Sequence, residues 1–160
     1  MRIVVRLAEQ QLELYADDGR LLRAWPVSTA ANGAGEEGGS GCTPRGSHVI
    51  RAKIGAGMPL NTVFVGRRPT GEVYTPELGQ QQPARDWILS RILWLSGKEP
   101  GFNRLGSRDS MRRYIYIHGT PDEGFVPEPQ SHGCIRMRNQ DLAELFDLVP
   151  VYTPVVVLPA

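Results

Sequence analysis

The chain has 160 residues, of which 41% are hydrophobic and 22% charged, a composition typical of one soluble globular domain and too apolar for a disordered chain. Its 18 basic and 17 acidic residues give a net charge of +1, without the strongly basic balance expected of a nucleic-acid-binding protein. We therefore predict one domain over residues 1–160 and no nucleic-acid partner.

Six segments of the first half predict short strands, because they alternate apolar and polar residues or are rich in β-branched ones: residues 2–7, 11–15, 20–28, 47–54, 63–65 and 72–75. Asp18-Gly19 predicts the turn of a hairpin between the second and third of these segments. The glycine-rich residues 30–41 contain too little apolar surface to pack, so we expect a mobile surface loop there.

The second half contains one ambiguous segment and one clear strand. Residues 87–95 fit both a helix stripe and a buried strand, and the pattern alone does not decide between them. Residues 113–118 alternate, with Tyr114, Tyr116 and His118 on one face. This predicts a strand that ends at His118.

A helix and a last strand are predicted to complete the chain. Four apolar residues at helical spacing predict the helix over residues 140–149, with Asn139 as its N-cap. Residues 155–158 predict the closing strand. The fold class expected from these elements is mainly β with one or two helices.

The terminus and the apolar runs argue against export and membrane insertion. Residues 3–5 are the only apolar run near the start, whereas a secretory signal needs about 7 to 15 apolar residues and a membrane span about 20. We expect no membrane partner and a cytoplasmic location, or a periplasmic one if a leader was removed. The two cysteines, Cys42 and Cys134, are too few for a disulfide framework and are expected to be free thiols.

Cysteine chemistry is the sharpest functional indication. His118 and His132 lie within sixteen residues of Cys134, and a cysteine with histidine partners is the minimal set for thiol catalysis. A thiol with a pKa of about 8.5 is mostly protonated at neutral pH, so it needs a base such as His118. Gly133 leaves room for a substrate backbone and for amides that bind an oxyanion, and Arg136 suits a substrate carboxylate.

Two other interpretations of these residues stay open. A lone His-Gly-Cys is more often structural than catalytic, since free cysteine is commonly buried. His118, His132 and Cys134 are also possible zinc ligands, although their spacing matches no common zinc motif. His48 alternates along a strand with no acidic or thiol neighbour, which favours a structural role.

A paired motif resembles a known family. Residues 117–120, Ile-His-Gly-Thr, followed by residues 131–136, Ser-His-Gly-Cys-Ile-Arg, resemble the signature of the L,D-transpeptidase (YkuD-type) catalytic domain. The resemblance extends to the first strands, to the Thr-Pro-Arg-Gly turn at 43–46 and to the closing helix and strand. It implies a compact mixed β-sandwich, which favours a strand over residues 87–95, and it implies no metal or cofactor.

The resemblance also implies catalytic roles for five matched residues. Cys134 would be the nucleophile and His118 the general base, with the carbonyl of Gly119 holding the His118 ring. The side chain of His132 and the amides of Gly133 and Cys134 would surround the oxyanion.

The implied substrate is a peptidoglycan tetrapeptide stem, cleaved between the diamino acid and the terminal D-Ala. Arg136 would dock this donor peptide, with Ser131 and Tyr116 as further substrate-binding candidates. The segment 91–114 and the missing export signal resemble small family members that act inside the cell as L,D-carboxypeptidases in muropeptide recycling. The alternatives are a transpeptidase that forms 3-3 cross-links or attaches proteins to the wall, and a non-catalytic peptidoglycan-binding module.

Cys42 departs from the family's common pattern, in which a small polar residue precedes the Thr-Pro-Arg-Gly turn. If that turn lies near Cys134, a disulfide between the two cysteines would silence the enzyme. An inert free thiol is the favoured interpretation.

Overall fold

Ten strands and two α-helices make up the chain, in a computed structural model that describes residues 1–159. The strands are β1 Arg2–Arg6, β2 Gln11–Tyr15, β3 Leu21–Pro26, β4 Gly46–Ile54, β5 Thr62–Val65, β6 Arg68–Val73, β7 Ile88–Gly97, β8 Tyr116–Thr120, β9 Ile135–Arg138 and β10 Pro154–Leu158. The helices are α1 Pro76–Gln81 and α2 Asn139–Leu148, with a short 3-10 turn at Gly106–Arg108. The predicted fold class, mainly β with one or two helices, is confirmed.

All ten strands belong to one curled sheet. Its main path runs β3-β2-β1-β10-β4-β7-β5-β6, and β8 and β9 branch from β7. Just after β3, Ser28 and Arg136 of β9 exchange two backbone hydrogen bonds, of 2.9 and 2.8 Å. This bridge joins the β3 end of the sheet to the β9 end, so the expected sandwich is a single sheet curled on itself.

The main hydrophobic core fills the inside of this curl. Strands β1 to β4 and β7 to β10 all contribute buried side chains to it. On β8 and β9, Ile117, Ile135 and Met137 point inward and are fully buried, while the residues between them face the other side. Helix α2 adds its apolar stripe, Leu142, Leu145 and Phe146.

Three strand predictions need comment. The ambiguous residues 87–95 lie in β7, as the family resemblance favoured. Strand β8 starts at Tyr116 rather than at 113, because Tyr114 lies in a turn with a φ of 57°. Strand β6 covers residues 68–73 instead of 72–75, because Gly66 and Arg67 both have positive φ and close a hairpin directly after β5.

The structure differs from the helix predictions in two ways. Helix α1 was not predicted, although Thr75 caps it by accepting from the Leu78 N–H at 3.2 Å and Pro76 follows at the first position. The prediction of Asn139 as an N-cap is wrong, since Asn139 is the first helical residue of α2 and is buried. No helix of residues 1–159 is long and apolar enough to cross a bilayer.

His48 is a buried structural residue of β4, as its sequence context favoured. Its Nδ1 lies 3.0 Å from the Gly46 carbonyl and its Nε2 lies 2.8 Å from the Ser110 hydroxyl. A carbonyl oxygen only accepts, so Nδ1 carries the proton and Nε2 accepts from Ser110. Burial lowers the pKa of His48 to about 4, which keeps the ring neutral at physiological pH.

We expect the free energy of unfolding to fall as the pH is lowered from about 6.5 to about 4. In this window the unfolded chain takes up a proton on residue 48 and the folded chain does not, so protonation favours unfolding. The slope reaches about 1.4 kcal/mol per pH unit for one such histidine. Urea unfolding between about pH 7 and about pH 5 measures it. An equally steep slope in His48→Gln would contradict this assignment.

Candidate active site

The candidate catalytic residues meet where β8 and β9 run parallel. The register pairs His118 with Arg136, so Cys134, which directly precedes β9, lies level with Tyr116. Because side chains alternate along a strand, these four point to the face opposite the core. All four line one cavity of about 390 Å³.

His118 is held in one orientation and one tautomer. The residue is 1% exposed, and its Nδ1 lies 2.7 Å from the carbonyl oxygen of Gly119, the contact that the resemblance implied. Nδ1 is therefore the donor, which leaves Nε2 as an unprotonated acceptor. Burial lowers the pKa of His118, against the opposing effect of the Gly119 hydrogen bond. A neutral imidazole of this kind can act as a general base.

A buried polar network fixes the backbone beside His118. A side chain on Gly119 would collide with Asn139 Oδ1 and with the Leu89 carbonyl. Asn139 Oδ1 accepts from the Ser90 hydroxyl at 2.5 Å, and its Nδ2 donates to the Thr120 carbonyl at 2.8 Å. Asn139 therefore supports the strand that carries the histidine. The sequence did not indicate this role, because asparagine before a helix is typical of an N-cap.

The Cys134 sulfur lies between two backbone groups of the preceding turn and strand. It accepts from the Tyr116 N–H at 3.4 Å and donates to the Tyr114 carbonyl at 3.3 Å. Desolvation raises the pKa of the thiol to about 12, even though part of the residue is open to the cavity and two nearby arginines oppose the shift. In residues 1–159 the thiol makes no hydrogen bond to His118. The resting site thus holds a neutral thiol and a neutral imidazole.

Ser131 and Gly133 shape the turn that presents the cysteine. The Ser131 hydroxyl donates to the Cys134 carbonyl at 2.6 Å and accepts from the Gly133 N–H at 3.2 Å. These groups are therefore engaged within the turn. A substrate contact for Ser131 and an oxyanion contact for the Gly133 amide stay predictions. The Cys134 N–H has no partner within the described residues, and the exposed side chain of His132 lies at the cavity wall.

Thr43 ties this turn to the first half of the chain. Its buried hydroxyl donates to the Gly133 carbonyl at 2.9 Å and accepts from the Ala30 N–H at 3.1 Å. Gly133 has a φ of 134°, and a side chain there would press on the Cys42 carbonyl at 3.2 Å. The Thr-Pro-Arg-Gly turn thus lies against the cysteine loop, and only the resemblance had indicated that this turn matters.

Three arginines line the cavity together with a single acidic residue. Arg136 pairs with that residue, Asp86, at 3.1 Å. Arg113 donates to backbone carbonyls of the glycine-rich loop and, at 2.7 Å, to the carbonyl of Cys42 directly after it. Arg67, from the β5–β6 hairpin, donates to the Tyr116 hydroxyl at 3.0 Å. The cavity therefore carries excess positive charge. The sequence pattern had pointed to Arg136, and to Arg113 only as part of a positive run that could attract an acidic peptide, whereas nothing in it indicated Arg67.

The zinc alternative requires a cluster of ligands. Between residues 1 and 159, no group of three or more His, Cys, Asp or Glu side chains is arranged to hold a metal ion. His118, His132 and Cys134 therefore do not form the ligand set that this alternative needs.

A known family of proteins matches nearly the whole chain. The family model of the L,D-transpeptidase catalytic domain, YkuD, matches residues 1–157. The chain belongs to the L,D-transpeptidase catalytic-domain family. The membership inferred from the paired motif is therefore confirmed.

Relatives within the L,D-transpeptidase family are similar over different shares of their length. The probable L,D-transpeptidase YbiS of Escherichia coli K12 is 33% identical over 122 residues, which cover 70% of this chain and 39% of YbiS. The probable L,D-transpeptidase ErfK/SrfK of the same strain is 29% identical over 163 residues, covering 98% of this chain and 43% of the relative. The chain spans about two fifths of the length of these curated relatives.

A solved L,D-transpeptidase structure supports the fold. The enzyme from Xylanimonas cellulosilytica DSM 15894 is 19% identical and superposes with a TM-score of 0.55, over 98% of this chain and 59% of that structure. The curled sheet with two helices is thus the L,D-transpeptidase fold.

Replacing Thr43 by valine should destabilise the folded chain while keeping its shape. The change leaves the Gly133 carbonyl and the Ala30 N–H without partners, at about 1–3 kcal/mol for each buried group. Thr43→Ser keeps the hydroxyl and is the matched control. Urea unfolding of both variants measures the difference, and equal stability would show that these hydrogen bonds contribute little.

The raised pKa of Cys134 predicts slow alkylation at neutral pH. With a pKa of about 12, the thiolate fraction and the rate should rise about tenfold for each pH unit between about pH 7 and about pH 9. Iodoacetamide modification followed by mass spectrometry measures the rate, and a Cys42→Ser background leaves one thiol to report. A rate that levels off near neutral pH would instead indicate a preformed thiolate and imidazolium pair.

Proposed function

We propose that the chain is a cysteine-dependent acyl-transfer enzyme that acts on peptidoglycan tetrapeptide stems and releases their terminal D-Ala. The observation that carries this proposal is the shared cavity of Cys134 and His118, in which Nε2 of the imidazole is free to accept a proton. Family membership and the probable L,D-transpeptidases among the relatives support peptidoglycan as the substrate.

Acylation uses the neutral pair of the resting site. The S–H of Cys134 turns from the Tyr114 carbonyl toward His118, and Sγ attacks the carbonyl carbon of the diamino acid as Nε2 takes the proton. The bond to the D-Ala nitrogen then breaks, and the imidazolium returns the proton to that leaving amine. A thioester on Cys134 and free D-Ala are the products of this half-reaction.

The tetrahedral intermediate needs donors for its negative oxygen. In residues 1–159 the backbone N–H groups of His132 and Cys134 make no hydrogen bond, and we assign that of Cys134, the amide of the nucleophile itself, to the oxyanion. The exposed His132 side chain lies at the same cavity and is the second candidate. Positive charge from the cavity arginines further favours an anionic substrate and intermediate.

We propose water as the acceptor that resolves the thioester, which makes the enzyme an L,D-carboxypeptidase. The resemblance of segment 91–114 to small carboxypeptidase-like family members supports this choice. His118 would take a proton from the attacking water and return it to the Cys134 sulfur as the tripeptide leaves. A role in cytoplasmic muropeptide recycling stays a prediction, which fractionation of cells producing the native protein would test.

Transfer to an amine is the second candidate function. It is favoured by the relatives, whose names describe probable L,D-transpeptidases. An amine from an acceptor stem or wall protein would then attack the same thioester, so the cysteine and histidine chemistry is unchanged. The two functions differ only in what enters the cavity after D-Ala leaves.

Incubation of the protein with a disaccharide tetrapeptide should release D-Ala and leave the tripeptide. Cys134→Ala should abolish release, and His118→Ala should lower kcat by about 100-fold or more, because the general base is lost. Cys42→Ser, which changes the other thiol, is the control expected to stay active. Mass spectrometry of the products, with and without a D-amino-acid acceptor, provides the measurement.

The products distinguish the two candidates. Tripeptide alone, even with acceptor present, agrees with the carboxypeptidase, whereas an exchanged or cross-linked stem identifies a transpeptidase. If folded wild-type protein releases no D-Ala, the enzymatic proposal fails and a peptidoglycan-binding module becomes the better explanation.

A further inference from the structure

Arg67 occupies an unusual position at the tip of the β5–β6 hairpin. Its backbone has a φ of 64°, in the turn that brings the hairpin over the cavity. The guanidinium carbon lies 5.0 Å from the ring centre of Trp94 and 4.7 Å from that of Tyr114, and Nη1 donates to the Tyr116 hydroxyl at 3.0 Å. Aromatic faces and one hydrogen bond therefore hold the guanidinium in place.

This guanidinium has no acidic partner. In residues 1–159 no carboxylate forms an ion pair with Arg67, and its Nε and Nη2 make no hydrogen bond. The other cavity arginines are already engaged, Arg136 by Asp86 and Arg113 by loop carbonyls. Arg136 also has a buried Nε without a hydrogen bond, but Arg67 is the cavity arginine that has neither an ionic nor a carbonyl partner in residues 1–159. A planar fork of donors is suited to binding a carboxylate.

The aromatic residues that hold Arg67 also hold the candidate nucleophile. The backbone of Tyr114 and Tyr116 contacts the Cys134 sulfur, while their side chains contact Arg67. When Cys134 attacks the carbonyl of the scissile bond, the substrate residue on the amine side of that bond would therefore lie in the same cavity as the Arg67 guanidinium. In the proposed substrate that residue is the terminal D-Ala, which ends in a carboxylate.

We propose that Arg67 binds a carboxylate of the donor stem, and that the carboxylate of the terminal D-Ala, which adjoins the scissile bond, is the one it selects. The inference rests on the proposed function for the identity of the stem. The tip of the β5–β6 hairpin would then help to select the substrate. A stem that continues beyond D-Ala, or that ends in an amide, offers Arg67 no negative charge at this position.

Binding can be measured without turnover in a Cys134→Ala background. Isothermal titration calorimetry would use three ligands: the free tetrapeptide, its terminal carboxamide, and a tetrapeptide whose D-Glu carboxylate is amidated. We expect the terminal amide to bind about 10- to 100-fold more weakly than the acid, the range of a charge-assisted hydrogen bond. Adding Arg67→Gln should weaken binding of the acid by the same factor and leave the amide unchanged.

Two further variants separate recognition from folding. Arg68→Gln removes the neighbouring exposed arginine of β6, which does not line the cavity, and should bind like the parent protein. Arg67→Lys keeps the charge without the planar fork and should recover part of the preference for the acid. Thermal unfolding of each variant shows whether the hairpin is retained.

The outcomes decide the inference independently of catalysis. If Arg67→Gln removes the preference for the free D-Glu carboxylate and keeps the preference for the free terminal carboxylate, Arg67 binds a carboxylate, but that of D-Glu. This outcome would overturn the assignment to the terminal D-Ala. An unchanged preference for the acid in a folded Arg67→Gln variant would overturn the inference. Failure of wild-type protein to release D-Ala would count against the proposed function alone, because the calorimetric comparison does not need turnover.

Discussion

Parallel pairing of β8 with β9 is the constraint on which the candidate site depends. Parallel neighbours need a crossover of about a dozen residues or more, and the loop from Pro121 to Cys134 supplies it. This requirement explains why the histidine and the cysteine are separated in the chain as they are. The core side of the pair, where Ile117 lies opposite Ile135, prevents a shift in register, since a slip by one residue would turn the cavity side chains into the core.

Buried polar groups around this strand pair fix the position of the backbone. Apolar packing alone would specify that position less strictly. Asn139 and Ser90 support the strand of His118, and Thr43 supports the turn of Cys134. Each bond joins segments that are distant in the chain, so the site is assembled only when the sheet closes. Such networks favour one arrangement because a buried donor or acceptor without a partner is costly.

The same burial sets the protonation states of the site. It lowers the pKa of His118 and raises that of Cys134, so both side chains are neutral before substrate arrives. In the proposed mechanism, charge would develop only during attack, next to arginines that already face the cavity. If the proposed function holds, such a site would couple proton transfer to bond formation and keep a reactive thiolate from being exposed between turnovers.

Most of the strands, the long helix and the paired motif could be predicted from the sequence, because alternation and helical spacing are local properties of neighbouring residues. The sequence by itself also determined the family, through residues that surround His118 and Cys134. Only the tertiary structure decided that Asn139 supports a distant strand instead of capping its helix, and that Arg67 reaches the cavity. The physical reason is that partners far apart in the chain are set by strand register and hairpin closure, which no local pattern reports.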